Sequence, residues 1–370
     1  MRAAFRTDSS IIIGTGHLFR CLTLADALRR KGAAVSFICC ELPGNLISSV
    51  EEMNFPVHRL AFGNVSTHHG IRELPIPPGA GIAWESDARD TIRRIAGTPK
   101  VDWLIVDHYD LDRRWEGEMR PVVGKIMVID DLADRPHDCD LLLDQNLDEF
   151  PDRRYEGLVP GHCRKIFGPR NALLRPEFIE ARKTLRDRDG VVRGILVFFG
   201  GSDRTDETSK ALEALRRLGR PDVAVEVVVG GSNPHGDKVR RLCLAMGNAR
   251  FHFQVRNMAE LMAKADLAIG ATGTATWERC YLGLPAVTLV LAENQFSNAV
   301  QVSMAGAIAN LGWHSEVDAD HLAAAVRRLL DDPKELKEMG FRGIELMGGE
   351  SFEGADGVVR EMMGDGRAPA

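Results

Sequence analysis

Short apolar runs alternate with amphipathic stretches along almost the whole chain. After Gly16, the residues Leu18, Cys21, Leu22, Leu24, Ala25 and Leu28 fall on one helical face, and the pattern stops at Gly32. Ala34–Cys40 then reads as a strand, residues 45–53 as a helix and the region of Val57 as a short strand. A helix over 85–96 leads to the strands Val101–Asp107, Lys125–Asp131 and Leu141–Asp144. Between Asp148 and Gly190 the apolar period weakens and charges with proline take over, which marks a domain connection. Strands resume at 194–201, 223–229, 251–255, 266–269 and 286–291, separated by helical patterns. Regular strand–helix alternation implies parallel sheets with right-handed crossovers. The expected architecture is α/β, with two Rossmann-like domains whose parallel sheets face a cleft. The expected boundaries are 1–165, 166–350, and a C-terminal helix with a mobile tail over 351–370.

With 370 residues the chain is long for one core, consistent with two domains. The 44% apolar and 27% charged composition is that of a globular protein. Lys plus Arg number 47 against 53 Asp plus Glu, so the net charge of −6 gives no footprint for nucleic acid. No apolar run is long enough to span a bilayer, and Met1–Asp8 reads as a first strand rather than a signal peptide. Seven scattered cysteines without a CxxC pair argue against a zinc cluster and for reduced thiols in a cytoplasmic protein, with a monomer expected. Residues 61–83, rich in Gly and Pro with His68-His69 inside, read as a long loop of the kind that often carries function.

In parallel sheets ligands bind beyond the carboxyl ends of the strands, so the residues after each strand carry the candidate chemistry. Gly14-Thr15-Gly16-His17 follows the first strand and opens a helix. Its glycines let backbone approach a ligand, and a helix terminus disfavours imidazolium, leaving a neutral ring able to accept a proton. A helix cap is the alternative role for His17. Gly201-Ser202, after the run Gly194–Gly201, fits either a phosphate or a tight turn with an N-cap. Thr272-Gly273-Thr274, small and hydroxylic, enters a helix in which Glu278 lies one turn along. There a diphosphate can approach, and the carboxylate can accept two vicinal ribose hydroxyls. Asn294 and Gln295, at the end of the next strand, present polar groups to the same place. Asp107-His108-Tyr109 and Asp130-Asp131 also follow strands, but without companion ligand spacing they read as caps and acceptors, and no metal is expected. The chain lacks GxSxG, Walker A and HExxH motifs, and the third glycine of the dinucleotide fingerprint is missing after Gly14-Thr15-Gly16.

Taken together, Phe5–Asp8 with Ile13–Ala25, Asp130–Asn146, Ala172–Phe178, Phe199–Asp203, and Trp277–Pro285 with Glu293–Gln295 resemble the UDP-sugar hydrolases of pseudaminic acid biosynthesis, in collinear order over nearly the whole chain. That resemblance implies a GT-B fold, like the glycosyltransferase that builds lipid II. It implies hydrolysis of UDP-2,4-diacetamido-2,4,6-trideoxy-β-L-altropyranose with inversion and without a cofactor, in a pathway serving flagellin glycosylation. It places the catalytic base on His17. The substrate-binding residues expected from motif and resemblance are Asp8, Gly14, Gly16, Tyr109, Gly201, Ser202, Thr272, Gly273, Thr274, Glu278, Asn294 and Gln295. A glycosyltransferase or epimerase of the same fold, and a non-catalytic nucleotide-sugar sensor, are the rival readings.

Overall fold

The computed structural model describes residues 1–11, 13–61, 83–95 and 99–364. Each run read as a strand becomes one, with ends shifted by up to three residues. The first sheet contains β1 (Arg2–Thr7), β2 (Ala34–Cys40), β3 (Val57–Leu60), β4 (Val101–Asp107), β5 (Val123–Ile129), β6 (Leu141–Asp144) and β7 (Arg164–Phe167), in the order β3-β2-β1-β4-β5-β6-β7. The second contains β8 (Gly194–Phe198), β9 (Ala224–Val229), β10 (Ala249–Phe253), β11 (Leu267–Ala271), β12 (Ala286–Val290) and β13 (Ala309–Trp313), in the order β10-β9-β8-β11-β12-β13. Every pairing within the two sheets is parallel. These are doubly wound sheets. The order reverses between β1 and β4 in one, and between β8 and β11 in the other, and such switch points open a crevice at the carboxyl ends.

Helices cover both faces of the first sheet, so its central strands are continuous apolar runs rather than alternating ones. One face buries Phe5, Phe37, Trp103 and Ile105 with Leu18, Leu22 and Leu28 of the helix Gly16–Arg30. The other buries Ile38, Leu104 and Val128 with Trp115 and Tyr155. In the second sheet Ile195, Val197, Val227 and Ile269 pack with Leu212 and Leu215 of the helix Glu207–Leu218.

The chain divides into two compact units. The first holds residues 1–146, 150–173 and 354 onward, and the second holds 147–149 and 174–353. The expected boundary at 165/166 therefore falls inside β7. The C-terminal helix Gly354–Met363 is not an appendage to the second unit. It returns to the first, where Val358, Val359 and Met362 join the core and Trp103 Nε1 donates to the Met362 carbonyl at 3.1 Å. The long loop expected at 61–83 lies, but for its two end residues, outside the described residues, as does the Ala-Pro-Ala tail. Among the described residues no helix is long and apolar enough to cross a membrane.

Candidate active site

The first candidate region stands at the β1/β4 switch point. Beyond β1 the backbone turns back on itself, with Gly14 donating its N–H to the Ser10 carbonyl at 2.9 Å. Gly14 has φ +82°, the left-handed region that a side chain disfavours. This turn delivers Thr15 as the N-cap of the helix Gly16–Arg30. The Thr15 side chain makes no cap bond to the first turn. His17 and Arg20, three residues apart, share one face of that helix. Both meet Asp107, the last residue of β4.

Asp107 is buried, and its carboxylate is saturated with donors. His17 Nδ1 lies 2.5 Å from Oδ1, Arg20 donates from Nε to Oδ2 at 2.6 Å and from a terminal nitrogen to Oδ1 at 2.7 Å, and Cys21 Sγ lies 3.4 Å from Oδ2. Burial pushes the Asp107 carboxyl up, but Arg20 and then His17 overcome this and hold it well below the usual carboxylate range. An ionised carboxylate accepts only, so His17 Nδ1 carries a hydrogen toward it, and in the neutral ring the lone pair belongs to Nε2. The other arm of Arg20 reaches Asp131 at 3.0 Å, whose second oxygen accepts the Tyr109 hydroxyl at 2.7 Å. The Tyr109 ring meets the His17 imidazole edge-on, with centroids 4.5 Å apart.

Behind this group lies a second buried network. Arg6 is fully buried and binds both oxygens of Asp8, at 2.7 and 2.9 Å, and both of Asp87, at 3.2 and 2.6 Å. Asp8 also accepts the Cys40 N–H at 2.7 Å and lies 3.1 Å from His108 Nε2. The Asp110 N–H donates to His108 Nδ1, so His108 Nε2 is the donor to Asp8. Asp8 is thus engaged on both oxygens within the protein.

At the ends of β5 and β6, Tyr155 places its hydroxyl 3.0 Å from Asp130 and 3.1 Å from Asp144. Burial pushes the Asp144 carboxyl up to about 7 despite the ion pair with Arg154.

The second candidate region lies at the β8/β11 switch point and is built differently. After β8 the chain runs through Gly200 (φ +94°), Asp203 (φ +35°) and Asp206 (φ +64°). Three left-handed residues in seven, two of them with side chains, mark stored strain of the kind found at ligand clamps. Asp203 offsets part of it by capping the helix Glu207–Leu218, accepting the N–H groups of Glu207 and Thr208 at 2.9 and 3.0 Å. Gly201 packs directly on Gly230 at the end of β9, where an added Cβ would lie 2.3 Å from the Gly201 carbonyl oxygen. Ser232 donates its N–H to that oxygen at 3.2 Å.

After β11, the buried Thr272 donates its hydroxyl to the Leu289 carbonyl at 3.1 Å, while Thr274 is exposed. Gln295, near the start of the helix Glu293–Met304, accepts the Leu291 N–H at 3.0 Å, and its amide nitrogen lies 3.7 Å from where a Cβ on Gly273 would sit. Asn294 is its neighbour on that first turn. Glu278 is part-buried, and its Oε1 takes two bonds from Arg175, at 3.2 and 3.0 Å. Burial pushes its carboxyl up against the opposing pull of Arg175.

The predicted residues therefore fall in two groups. Gly14, Gly16, His17 and Tyr109 come together in the first unit, with Asp8 behind them. Gly201 and Ser202 follow β8, and Thr272, Gly273, Thr274, Glu278, Asn294 and Gln295 follow β11 and β12 in the second, where Gly273 and Gln295 approach each other. Sequence reasoning passed over Arg20 and the Gly230-Gly231-Ser232 loop, and it took Asp107 and Asp131 for caps or general acceptors. The i, i+3 spacing of His17 and Arg20 and the glycine pair after β9 were the signals that could have found them. Among the described residues no three His, Cys, Asp or Glu side chains are grouped to hold a metal ion.

Residues 195–343 match the glycosyltransferase family 28 C-terminal domain. The chain is 28% identical over 307 residues to the UDP-2,4-diacetamido-2,4,6-trideoxy-β-L-altropyranose hydrolase of Campylobacter jejuni, covering 83% of this chain and 97% of that one. The resemblance to the UDP-sugar hydrolases holds. A second relative, an uncharacterized protein of Methanocaldococcus jannaschii, is 26% identical over 302 residues; the match covers 80% of this chain but only 57% of that protein. Among solved structures, Acinetobacter baumannii MurG superposes with a TM-score of 0.63 at 15% identity, covering 98% of this chain and 100% of that one. Arabidopsis thaliana UGT89C1 complexed with UDP-L-rhamnose superposes with a TM-score of 0.68 at 14% identity, over 98% of each chain. The fold is GT-B, with two Rossmann-like domains on parallel sheets, as the sequence resemblance implied.

Proposed function

We propose that the chain hydrolyses a UDP-linked diacetamido-trideoxy sugar, releasing UDP, with His17 as general base. The observation that carries this reading is the His17–Asp107 pair, buried at a switch point and joined through Nδ1, which leaves Nε2 as the ring nitrogen available to a water. The hydrolase relative in Campylobacter supplies the substrate class, UDP-2,4-diacetamido-2,4,6-trideoxy-β-L-altropyranose. The UDP-L-rhamnose complex of a GT-B neighbour supports nucleotide-sugar binding on this fold.

In the proposed reaction Nε2 takes a proton from water as the water oxygen bonds to C1. The C1–O bond breaks with its electron pair passing to UDP. One displacement inverts the anomeric centre, and no covalent intermediate is needed. Asp107 fixes the tautomer of His17 and stabilises the imidazolium that forms. Tyr109, held by Asp131, limits rotation of the imidazole. In the second unit, N–H groups of Gly201-Ser202 and Thr272–Thr274 stabilise charge growing on the diphosphate. Glu278 takes the ribose hydroxyls, with Asn294 and Gln295 beside it. Gly14 and Gly16 bring backbone close to the sugar, and Asp8 acts from behind as a support. The polypeptide works as a soluble cytoplasmic monomer.

The deciding experiment incubates purified protein with this UDP-sugar in isotope-labelled water and tracks products by NMR. Free UDP without label, together with the inverted reducing sugar, is expected. Label in UDP would place attack on phosphorus and remove His17 from its proposed role.

The match to a glycosyltransferase family 28 C-terminal domain favours one rival, transfer of the sugar to an acceptor. UDP binding without turnover in water would support that rival and sink the hydrolase.

A further inference from the structure

All seven cysteines are free thiols, yet two of them touch. Cys139 Sγ and Cys163 Sγ are 3.4 Å apart, both buried in the core of the first unit. Leu141 of β6 pairs with Arg164 of β7, and Arg164 donates its N–H to the Asp140 carbonyl at 3.0 Å, so the residues just ahead of the two strands run side by side. Asp140 bends the chain before β6, and Cys139 enters the same core cluster as Cys163. A disulfide needs the two sulfurs to close to about 2 Å. Cys163 is 8% exposed and follows the exposed pair Gly161-His162, whereas Cys139 is fully buried.

We propose that Cys139 and Cys163 form a peroxide-reactive dithiol that closes to a disulfide, a modification site separate from the sugar chemistry. The two sulfurs divide the work unequally. Either sulfur can donate across the contact; when the Cys139 thiol is the donor it favours the Cys163 thiolate and pulls that group below its ordinary value. The same hydrogen bond, with burial, pushes Cys139 up. The Cys163 thiolate attacks peroxide. The O–O bond breaks, leaving a sulfenic acid on Cys163 and a hydroxide that takes up the proton Cys163 had released. Cys139 sulfur then attacks Cys163 sulfur; the S–S bond forms, and water leaves with the Cys139 proton. Two thiols lose two electrons, and one peroxide becomes two waters.

The bridge pins edge strand β7 to β6 and closes the segment between them. That segment carries Arg154 and Tyr155, whose side chains meet Asp144, and in the case of Tyr155 also Asp130. Oxidation therefore fixes the far side of the first unit and raises thermal stability, since a cross-link restricts the unfolded chain.

The test treats the full-length protein with a small excess of hydrogen peroxide and reads intact mass, free-thiol count and a non-reduced peptide map. The expected product is lighter by two hydrogen atoms, has five free thiols in place of seven, joins the Cys139 and Cys163 peptides, and melts several degrees higher. In Cys139→Ser the sulfenic acid on Cys163 should persist and be trapped by dimedone, while Cys163→Ser should give neither trap nor bridge. Retention of seven thiols, a bridge between other cysteines, or sulfinic acid on Cys163 without a bridge would overturn the proposal. The wild-type peptide map decides the matter even if a serine variant fails to fold. None of these readouts involves a sugar substrate, so the outcome is independent of the hydrolase reading.

Discussion

Around His17 charged side chains are paired with charged side chains, whereas around Thr272–Thr274 the surface is made of backbone, hydroxyls and amides. Asp107 receives four donor contacts from three side chains, and Arg20 spans two carboxylates. In the second unit Thr272 and Gln295 spend their polar atoms on backbone, and glycines bring main chain within reach. The difference reflects the task each region would perform. Moving a proton requires a base of fixed tautomer and direction, which a buried ionic lattice imposes. Holding a diphosphate requires several N–H groups at close approach, and large side chains would only obstruct them.

Four measurements test this contrast, in falling order of effect. His17→Ala should lower kcat by about 10²- to 10⁴-fold, the usual worth of a general base, while UDP still binds. A turnover close to wild type would make the ionic cluster structural. Asp107→Asn keeps the size but loses the negative charge and puts an N–H₂ donor in place of one acceptor oxygen, so the His17 tautomer is no longer fixed, and kcat should fall on the order of 10²-fold with the Kd for UDP unchanged. If the Kd rose instead, Asp107 would be serving binding. Glu278→Ala should act the other way, weakening UDP by roughly tenfold or more in calorimetry, the scale of a charged hydrogen bond, and sparing kcat at saturation. Unchanged UDP affinity would take Glu278 out of the second region.

The smallest effect is one of pH on stability. Asp144 ionises at about 7 in the fold and near 3.8 in a free chain. Between those values the folded state holds more protons, so stability falls as pH rises and levels off above about 7. The Asp144→Asn variant should lack this slope in denaturant midpoints taken from pH 4 to 8. An identical slope in both proteins would show that Asp144 is ionised when folded.

The helix after the first strand was legible because Leu18, Cys21, Leu22, Leu24, Ala25 and Leu28 all enter the core that their spacing predicts. The edge strands β7 and β13 were not. Their residues are exposed to half-buried and lack the apolar run that a strand covered on both faces requires. The motifs after β1, β8 and β11 could be found from the residues just past the carboxyl end of each strand, since that rule depends only on chain order. The partner of His17 could not, because Asp107 is 90 residues away and nothing local distinguishes it from Asp130.

The alternation of strands and helices, the turn at Gly14 and the glycine-rich strand ends are local properties of the chain, because each depends on backbone geometry and apolar spacing within a few residues. That β1 and β4 are neighbours, and with it which carboxylate meets His17, that Cys139 touches Cys163, and that the final helix packs on the first unit, emerges with the assembled fold. Those contacts depend on strand order, and strand order is set by how whole faces bury against one another rather than by any local pattern.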